Sequence, residues 1–216
     1  MATYTAKQIR EQFKYIQLLA KEYPNVQSAC TEIINLQAIL QLPKGTEHFM
    51  SDLHGENEAF AHILNNCSGV IKDKIDSLLS KSISATERAE LATLIYYPKI
   101  KLKIIREREE NYNDWCRLTL YRLIDVCRLV SGKYTRSKVR KALPADYSYI
   151  IDELLNADYS EHNKEEYYGK IIDTILALGQ ADGFIIALAD VIKRLAVDYL
   201  HIIGDIFDRG KRPDII

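Results

Sequence analysis

The sequence is poor in the two residues that most often interrupt helices. Its 216 residues include only 9 glycines and 5 prolines, and this scarcity favours long helices with few breaks. A chain of this length can bury a sizeable core as one large domain, or as a domain with an insertion. The hydrophobic content of 47% and the charged content of 27% are ordinary for a soluble globular protein.

Excess charge and long apolar runs are also missing. The formal net charge of −1 argues against broad electrostatic binding to nucleic acid or to an anionic membrane, and neither is expected as a partner. The N-terminal segment has no apolar core of signal-peptide length, and no run of 18 apolar residues occurs. A cytoplasmic protein without a membrane segment is therefore predicted.

Paired cysteines are absent as well. The four cysteines, Cys30, Cys67, Cys116 and Cys127, form no CxxC pair. Without an export signal, such cysteines are predicted to be reduced thiols within a core.

What the chain has instead is helical periodicity. Thr5 with Gln8 predicts a capping box in front of one helix, whose apolar face includes Ile9 and Leu19. Pro24 is predicted to occupy the first turn of a second helix. A further helix is expected in the segment "ENEAFAHILNNC".

The rest of the chain has the same character. Ser84 with Glu87 predicts another capping box, and residues 99–130 are predicted to form one long helical stretch. Three later helices are predicted over residues 146–156, 163–179 and 183–197. Apolar residues at helical spacing in the long stretch are predicted to face the core: Cys116, Leu120, Leu123, Ile124, Cys127 and Val130.

Two short segments are typical of strands that end in turns. "TEHFM" leads into Asp52, and "DYLHIIG", which is predicted to be a buried strand, leads into Asp205. An ordinary crossover between neighbouring strands needs only about a dozen residues, and this connection is far longer. Residues 60–197 are therefore predicted to be a helical insertion, flanked by residues 1–59 and residues 198–216, which each hold one core strand.

The first turn contains Asp52, His54 and Gly55. An extended chain would aim Asp52 and His54 to the same side, as two ligands of one metal ion require, and Gly55 permits a tight turn. A carboxylate and an imidazole suit zinc, manganese or iron(II). The alternative is an Asx-type turn with His54 merely exposed.

The second turn, "GDIFDRG", contains Asp205, Asp208 and Arg209. Ligands in an open α/β sheet usually bind beyond the carboxyl ends of strands, where Asp205 lies. The carboxylates could bind metal, and the arginine offers a bidentate fork for a phosphate. The alternative is an Asp–Arg salt bridge that stabilises the turn.

Other polar residues allow simpler interpretations. His48, His62 and His201 are expected to be packing or surface residues. A basic cluster could attract a phosphorylated metabolite, or it could be a solvated face. It comprises Lys133, Arg136, Lys138, Arg140 and Lys141.

Together, "DLHGE" and "GDIFDRG" resemble the first two signature motifs of the calcineurin-like metallophosphatases, GDxHG and GDxxDRG, with Ser51 where the first motif usually has glycine. The segments "LIYYPKIKLKII", "WCRLTLYRLIDVCRLVSGKYTRSKVRKALP" and "YSYIIDELL" resemble the helical region of class III fructose-1,6-bisphosphatases. The resemblance covers essentially the whole chain. It implies an α/β fold: the start of a metallophosphatase sandwich, interrupted by a large helical insertion that makes this chain mostly α-helical.

The resemblance also implies a chemistry. It is the manganese-dependent hydrolysis of fructose 1,6-bisphosphate to fructose 6-phosphate and phosphate, a step of gluconeogenesis. By analogy with the family, Asp52 and His54 bind one metal ion and Asp205 bridges two. Asp208 would orient a catalytic histidine, and Arg209 would bind the substrate phosphate. The implied partner is a small sugar bisphosphate, and a homo-oligomer is compatible with the sequence.

The chain departs from the family pattern in one large respect. The pattern continues with a Gly-Asn-His motif and two later histidines that complete the second metal site. None of the five histidines here, His48, His54, His62, His162 and His201, follows "GDIFDRG". A fragment of a longer protein or a truncated gene is expected, with weak or absent manganese binding and no useful activity in these residues alone. The exposed core surface would then favour self-association.

Two other interpretations stay open at this stage. One keeps the metallophosphatase core but changes the substrate to another phosphoester, such as a phosphoprotein or a dinucleotide. The other is a truncated helical protein without catalytic activity, which would act in regulation or assembly.

Overall fold

A computed structural model of the chain describes residues 5–156 and 164–216. The chain divides into two compact units, Met1–Pro43 and Lys44–Ile216. The boundaries expected from the sequence, at residues 59 and 197, stay a prediction. His162 and the predicted helix start at residue 163 lie outside the described residues.

The first unit contains helices α1 (Ala6–Glu11), α2 (Phe13–Glu22) and α3 (Val26–Ile39). The capping box predicted at Thr5 is present, because Thr5 N donates to the Gln8 side chain at 2.9 Å and the Thr5 side chain accepts from Gln8 N. The single helix predicted after it is wrong. Gln12 leaves the helical conformation, with φ −101° and ψ 11°, and separates α1 from α2.

Two further expectations about this unit are corrected. Asn25 caps α3 by accepting from Ser28 N at 2.8 Å, so Pro24 precedes the helix and does not occupy its first turn. The asparagine side chain satisfies a backbone donor at the helix start, which proline cannot do. Cys30 is exposed and not in a core, since α3 has no buried position.

The second unit contains two strands, β1 (Glu47–Ser51) near its start and β2 (Tyr199–Ile203) near its end. They pair in parallel with Glu47 opposite Tyr199 and Ser51 opposite Ile203, which confirms that the two strands are neighbours. The prediction that β2 is buried is wrong, because Tyr199 is 63% exposed and Ile203 is 62% exposed. A parallel pair becomes buried only when helices or further strands cover it, and within the described residues this sheet has two strands.

Within residues 52–156 and 164–198, nine α-helices connect the strands, so the chain is mostly helical, as expected. They are α4 (Asn57–Asn66), α5 (Val70–Leu79), α6 (Ala85–Tyr96), α7 (Pro98–Arg108), α8 (Tyr112–Ser131), α9 (Arg136–Ala142), α10 (Ser148–Leu155), α11 (Glu165–Ala177) and α12 (Ala181–Ala196). Short 3-10 turns occur at Cys67–Gly69, Ala145–Tyr147 and Pro213–Ile215.

The long helix predicted over residues 99–130 is two helices, α7 and α8. Asn111 accepts a hydrogen bond from Asp114 N at 3.4 Å, and this cap starts a new helix after the break at Glu109. The capping box predicted at Ser84 and Glu87 is confirmed, with Glu87 N donating to Ser84 Oγ at 3.2 Å.

The core of this unit forms where α8 packs against α12. All six apolar residues predicted to line the core side of α8 are buried, and Phe184, Ile185 and Leu188 of α12 are completely buried. Each fully buried leucine or isoleucine stabilises the fold by about 1.5–3 kcal/mol. Helices α4 to α12, called the helical part below, therefore have a core of their own that can support the two exposed strands.

In the part of the chain that the structure describes, no single helix is both long enough and apolar enough to cross a bilayer. Helices α11 and α12 reach that length and composition only as a pair, which is bent by 118° at their junction.

Candidate metal centre

The two motif turns pack together, backbone against backbone. Gly55 has φ +68°, and a Cβ on it would lie 2.9 Å from Gly210 Cα. A Cβ on Gly210 would overlap the Gly55 backbone and the His54 carbonyl oxygen. Glycine at both positions is therefore what allows the turns to meet.

Backbone hydrogen bonds continue from the strands into the two turns. Asp52 N donates to Ile203 O at 3.3 Å, His54 N to Asp205 O at 3.1 Å, and Gly55 N to Ile206 O at 2.8 Å. The pairing of the parallel strands thus extends past their ends and sets the turns side by side.

Asp52 lies against the backbone of the second motif. Its Oδ1 accepts from Asp205 N at 3.3 Å, and a Cβ on Gly204, where φ is +110°, would overlap this oxygen. The premise that the chain is extended from Asp52 to His54 is wrong, because both residues have left-handed backbones with φ 50° and 47°. The turn begins at Asp52 itself.

His54 of the first motif contacts Asp208 of the second. Its Nδ1 lies 2.7 Å from Asp208 Oδ1, and the side chains are 28% and 43% exposed. The hydrogen bond with His54 lowers the pKa of the Asp208 carboxyl, and the charges of His54 and Arg209 act in the same direction. With Nδ1 held by a carboxylate, Nε2 is the ring nitrogen left to bind a metal ion.

Three residues can place ligand atoms around one point. His54, Asp205 and Asp208 each offer one ligand atom, and these atoms lie within 4.8 Å of one another. One imidazole nitrogen with carboxylate oxygens fits manganese, zinc or iron(II), so the donor set is suited to the metal that the resemblance implies. Asp52 does not belong to this group of described residues, although it touches Asp205, and its role as a ligand stays a prediction.

Arg209 extends from the same turn. Its Nε donates to Asp208 Oδ2 at 2.9 Å, and its side chain is 75% exposed. The salt bridge considered as the alternative reading of this motif is therefore present. The exposed guanidinium lies beside the acidic cluster, where it could reach a phosphate bound there. Binding of a phosphate by Arg209 stays a prediction.

Two of the remaining histidines make packing contacts. His62 Nδ1 lies 2.6 Å from the Tyr97 hydroxyl, and its ring stacks on Tyr97 with centroids 5.9 Å apart. His201 Nε2 lies 2.9 Å from Glu47 Oε2, and its ring stacks on Phe49 with centroids 4.6 Å apart. These contacts agree with the packing or surface roles expected for both.

The basic cluster forms ion pairs with two aspartates. Lys133 and Lys138 contact Asp198 at 3.0 and 2.9 Å. Arg136 and Arg140 lie 3.7 and 3.5 Å from Asp152. These four basic residues are therefore paired with carboxylates, although Arg136, Lys138 and Arg140 are more than half exposed. Sequence reasoning missed Asp198, since no motif surrounds it.

The sequence model of the Firmicute fructose-1,6-bisphosphatase family matches residues 14–216. A fructose-1,6-bisphosphatase class 3 of Clostridium botulinum (strain Alaska E43 / Type E3) is 60% identical over 206 residues, which are 95% of this chain and 31% of that relative. A protein of the same name from Clostridium acetobutylicum is 59% identical over 210 residues, 97% of this chain and 32% of the relative. The chain thus spans about a third of the length of these relatives. No solved structure matches it.

Proposed function

Because this chain belongs to the Firmicute fructose-1,6-bisphosphatase family, we propose that it supplies part of the active site of a phosphatase. The reaction is hydrolysis of fructose 1,6-bisphosphate to fructose 6-phosphate and phosphate. The observation that carries the proposal is the cluster of His54, Asp205 and Asp208, which two distant motifs build together. The support is that its members come from two motifs far apart in the sequence and carry the ligand types that divalent cations bind.

The proposed ligands of the metal are Asp52, His54 and Asp205, and the proposed metal is manganese. Bound divalent cations lower the pKa of water and offset the charge that develops on the phosphoryl group. Asp208, whose two oxygens already contact His54 Nδ1 and Arg209 Nε, would hold the His54 ring through Nδ1 and leave Nε2 for the metal ion. Arg209 binds the substrate phosphate through its guanidinium, which two charge-assisted hydrogen bonds would fix in orientation.

The proposed fold of the whole protein is the calcineurin-like sandwich. In this proposal β1 and β2 are its first two strands, the connection over residues 60–197 is a helical insertion, and the rest of the family sequence supplies the remaining strands. The support is the exposure of both strands, since parallel strands ordinarily have cover on both faces. A cytoplasmic place in gluconeogenesis agrees with the phosphorylated sugar that is the proposed substrate.

The test uses a chimera in which this chain replaces the matching residues of the Clostridium botulinum (strain Alaska E43 / Type E3) relative. Release of phosphate from fructose 1,6-bisphosphate with manganese is measured, with a phosphoserine peptide as the competing substrate. We expect turnover of the sugar bisphosphate, and loss of turnover by more than about 100-fold in Asp205→Asn, beyond the usual effect of losing an outer-shell partner.

The matched control is Asp214→Asn. Asp214 lies in the same segment and pairs with Arg212 at 2.8 Å, outside the cluster, so this variant is expected to keep its turnover. Near wild-type turnover of Asp205→Asn at saturating manganese would remove Asp205 from the mechanism. Preference for the peptide would contradict the proposed substrate.

A further inference from the structure

Asp198, the residue directly before β2, has a buried carboxylate that accepts four hydrogen bonds. Its side chain is 5% exposed. Oδ2 accepts from Thr46 N at 2.8 Å and from Lys133 Nζ at 3.0 Å. Oδ1 accepts from the Tyr134 hydroxyl at 2.7 Å and from Lys138 Nζ at 2.9 Å. A carboxylate has about four lone-pair positions, so this one is fully used.

The same carboxylate lies against the start of β1. Thr46 directly precedes β1, and Thr46 O accepts from Asp198 N at 2.9 Å, so Thr46 and Asp198 bind each other in both directions. Lys133 Nζ also donates to Thr46 Oγ1 at 2.9 Å. A Cβ on Gly45 would lie 2.8 Å from Asp198 Oδ2, which shows how closely the backbone before β1 packs on this group.

The other partners come from the helical part. Lys133 and Tyr134 lie between α8 and α9, and they also contact the end of α12. Lys133 Nζ donates to Ala196 O at 3.1 Å, and the Tyr134 hydroxyl oxygen lies 3.0 Å from Leu195 O. Burial would raise the pKa of the Asp198 carboxyl. The hydrogen bonds from Lys138, Tyr134 and Lys133 outweigh burial and hold this pKa well below its usual range.

We propose that Asp198 is a positioning residue for the metal centre: it joins the starts of β1 and β2 to each other and to the helical part, and so sets how the motif turns meet at the other ends. The proposal rests on the proposed function. Each strand has five residues, which span roughly 17 Å at 3.3 Å per residue. A change of register at one end is carried to the other, because paired strands move together.

The test compares Asp198→Asn with Asp152→Asn in the chain itself. Asp152 is a matched control because its side chain is 15% exposed and it also pairs with two basic residues of α9. Unlike Asp198, it does not bind the residue that precedes β1. The first measurement is hydrogen exchange of the His54 and Gly55 amides, whose bonds to Asp205 O and Ile206 O join the turns. The second is manganese affinity in the chimera.

We expect Asp198→Asn to keep its helical circular dichroism but to lose protection of the His54 and Gly55 amides. Its manganese affinity should fall by about 10-fold, the lower end of what loss of an outer-shell partner costs. Asp152→Asn should lower the melting temperature and change neither readout. A residue with only a structural role would behave as Asp152 does.

Unchanged exchange of the His54 and Gly55 amides in Asp198→Asn would overturn the proposal, whether or not metal binds. Failure of the wild-type chimera to bind manganese would count against the proposed function alone, since the amide measurement needs no metal. If Asp198→Asn does not fold, Lys138→Met replaces it. Lys138 is 57% exposed and gives one of the four bonds, so partial loss of protection at the same amides is expected and full protection would refute the proposal.

Discussion

His54 and Asp208 stand 154 positions apart in the sequence and share a hydrogen bond of 2.7 Å. Asp208 uses its other oxygen, Oδ2, to accept from Arg209 Nε at 2.9 Å. One carboxylate therefore fixes the orientation of an imidazole from the first motif and of a guanidinium from its own. The salt bridge between Asp208 and Arg209 and the contact between Asp208 and His54 therefore depend on the same carboxylate.

Replacing Asp208 by asparagine should weaken metal binding. Asp208→Asn removes the negative charge that makes the imidazole of His54 a better ligand, and the new amide can donate to Nδ1, which would place the ring proton on Nε2. Outer-shell partners of this kind contribute about 10–100-fold to metal affinity. We expect a loss in that range when manganese or cobalt(II) is titrated into the chimera.

The comparison for this variant is Asp214→Asn, which breaks the contact with Arg212 and leaves the cluster intact. Equal metal affinities of the two variants would show that the contact between His54 and Asp208 has no part in metal binding.

Two glycine-to-alanine changes should affect stability in opposite directions. Gly210→Ala puts a methyl group into the Gly55 backbone and should destabilise the joined turns by about 1–3 kcal/mol, as overpacking does. Gly169→Ala lies inside α11, where a Cβ meets nothing within 4 Å, and should stabilise the protein by about 0.5–1 kcal/mol. Urea denaturation and exchange of the Gly55 amide measure the two effects. A neutral Gly210→Ala would mean that the turns do not touch as described.

Arg209→Lys tests the proposed phosphate contact. Lysine keeps the charge but lacks the planar fork that binds two phosphate oxygens. A hydrogen bond to a charged group contributes about 1.5–3 kcal/mol, so kcat/KM of the chimera for fructose 1,6-bisphosphate should fall by roughly 10–100-fold with unchanged metal content. Arg212→Lys, whose partner Asp214 lies outside the cluster, serves as control. Parallel loss of bound manganese would assign Arg209 a structural role at the turn.

The stability that Asp198 provides should depend on pH in a defined direction. The pKa of its carboxyl is lowered in the folded chain, whereas the pKa of an aspartate in an unfolded chain is about 3.9. The stabilisation is therefore complete above about pH 4 and is lost as the pH falls from there towards the lowered folded pKa. The difference in unfolding free energy between wild type and Asp198→Asn should be largest at neutral pH and should shrink at about pH 3. A difference that is constant across this range would show that the charge of Asp198 is not what stabilises.

Much of the fold was predictable because its causes are local. The capping boxes at Thr5 and Ser84 are set by residues three positions apart, and the core side of α8 follows from its apolar spacing. The break before α8 was missed because the cap of Asn111 competes with a continuous apolar pattern. The exposure of β2 was missed because burial depends on neighbours that a strand's own sequence does not specify.

The sequence identified the residues of the site, but not the contacts between them or their backbone conformations. The two motifs identified His54, Asp205 and Asp208, yet no local rule pairs His54 with Asp208. The left-handed backbones of Asp52 and His54 are imposed by close packing against the second turn. Asp198 belongs to no sequence motif. Its contacts with Thr46 and Lys133 can be seen only in the folded structure.

The distance along the chain between Thr46 and Asp198, 152 positions, has a consequence for synthesis on the ribosome. At about 5–20 residues per second, β1 leaves the ribosome roughly 8–30 s before its partner strand exists. Helices form within about a microsecond, so α4 to α11 can form while β1 remains a lone strand with open edges. The core between α8 and α12 closes only when β2 is about to be made, because α12 ends at Ala196 and β2 begins at Tyr199. Unpaired edges invite pairing with other chains, and Phe49 is 67% exposed even in the finished pair, so β1 is a segment of the nascent chain that a chaperone would protect.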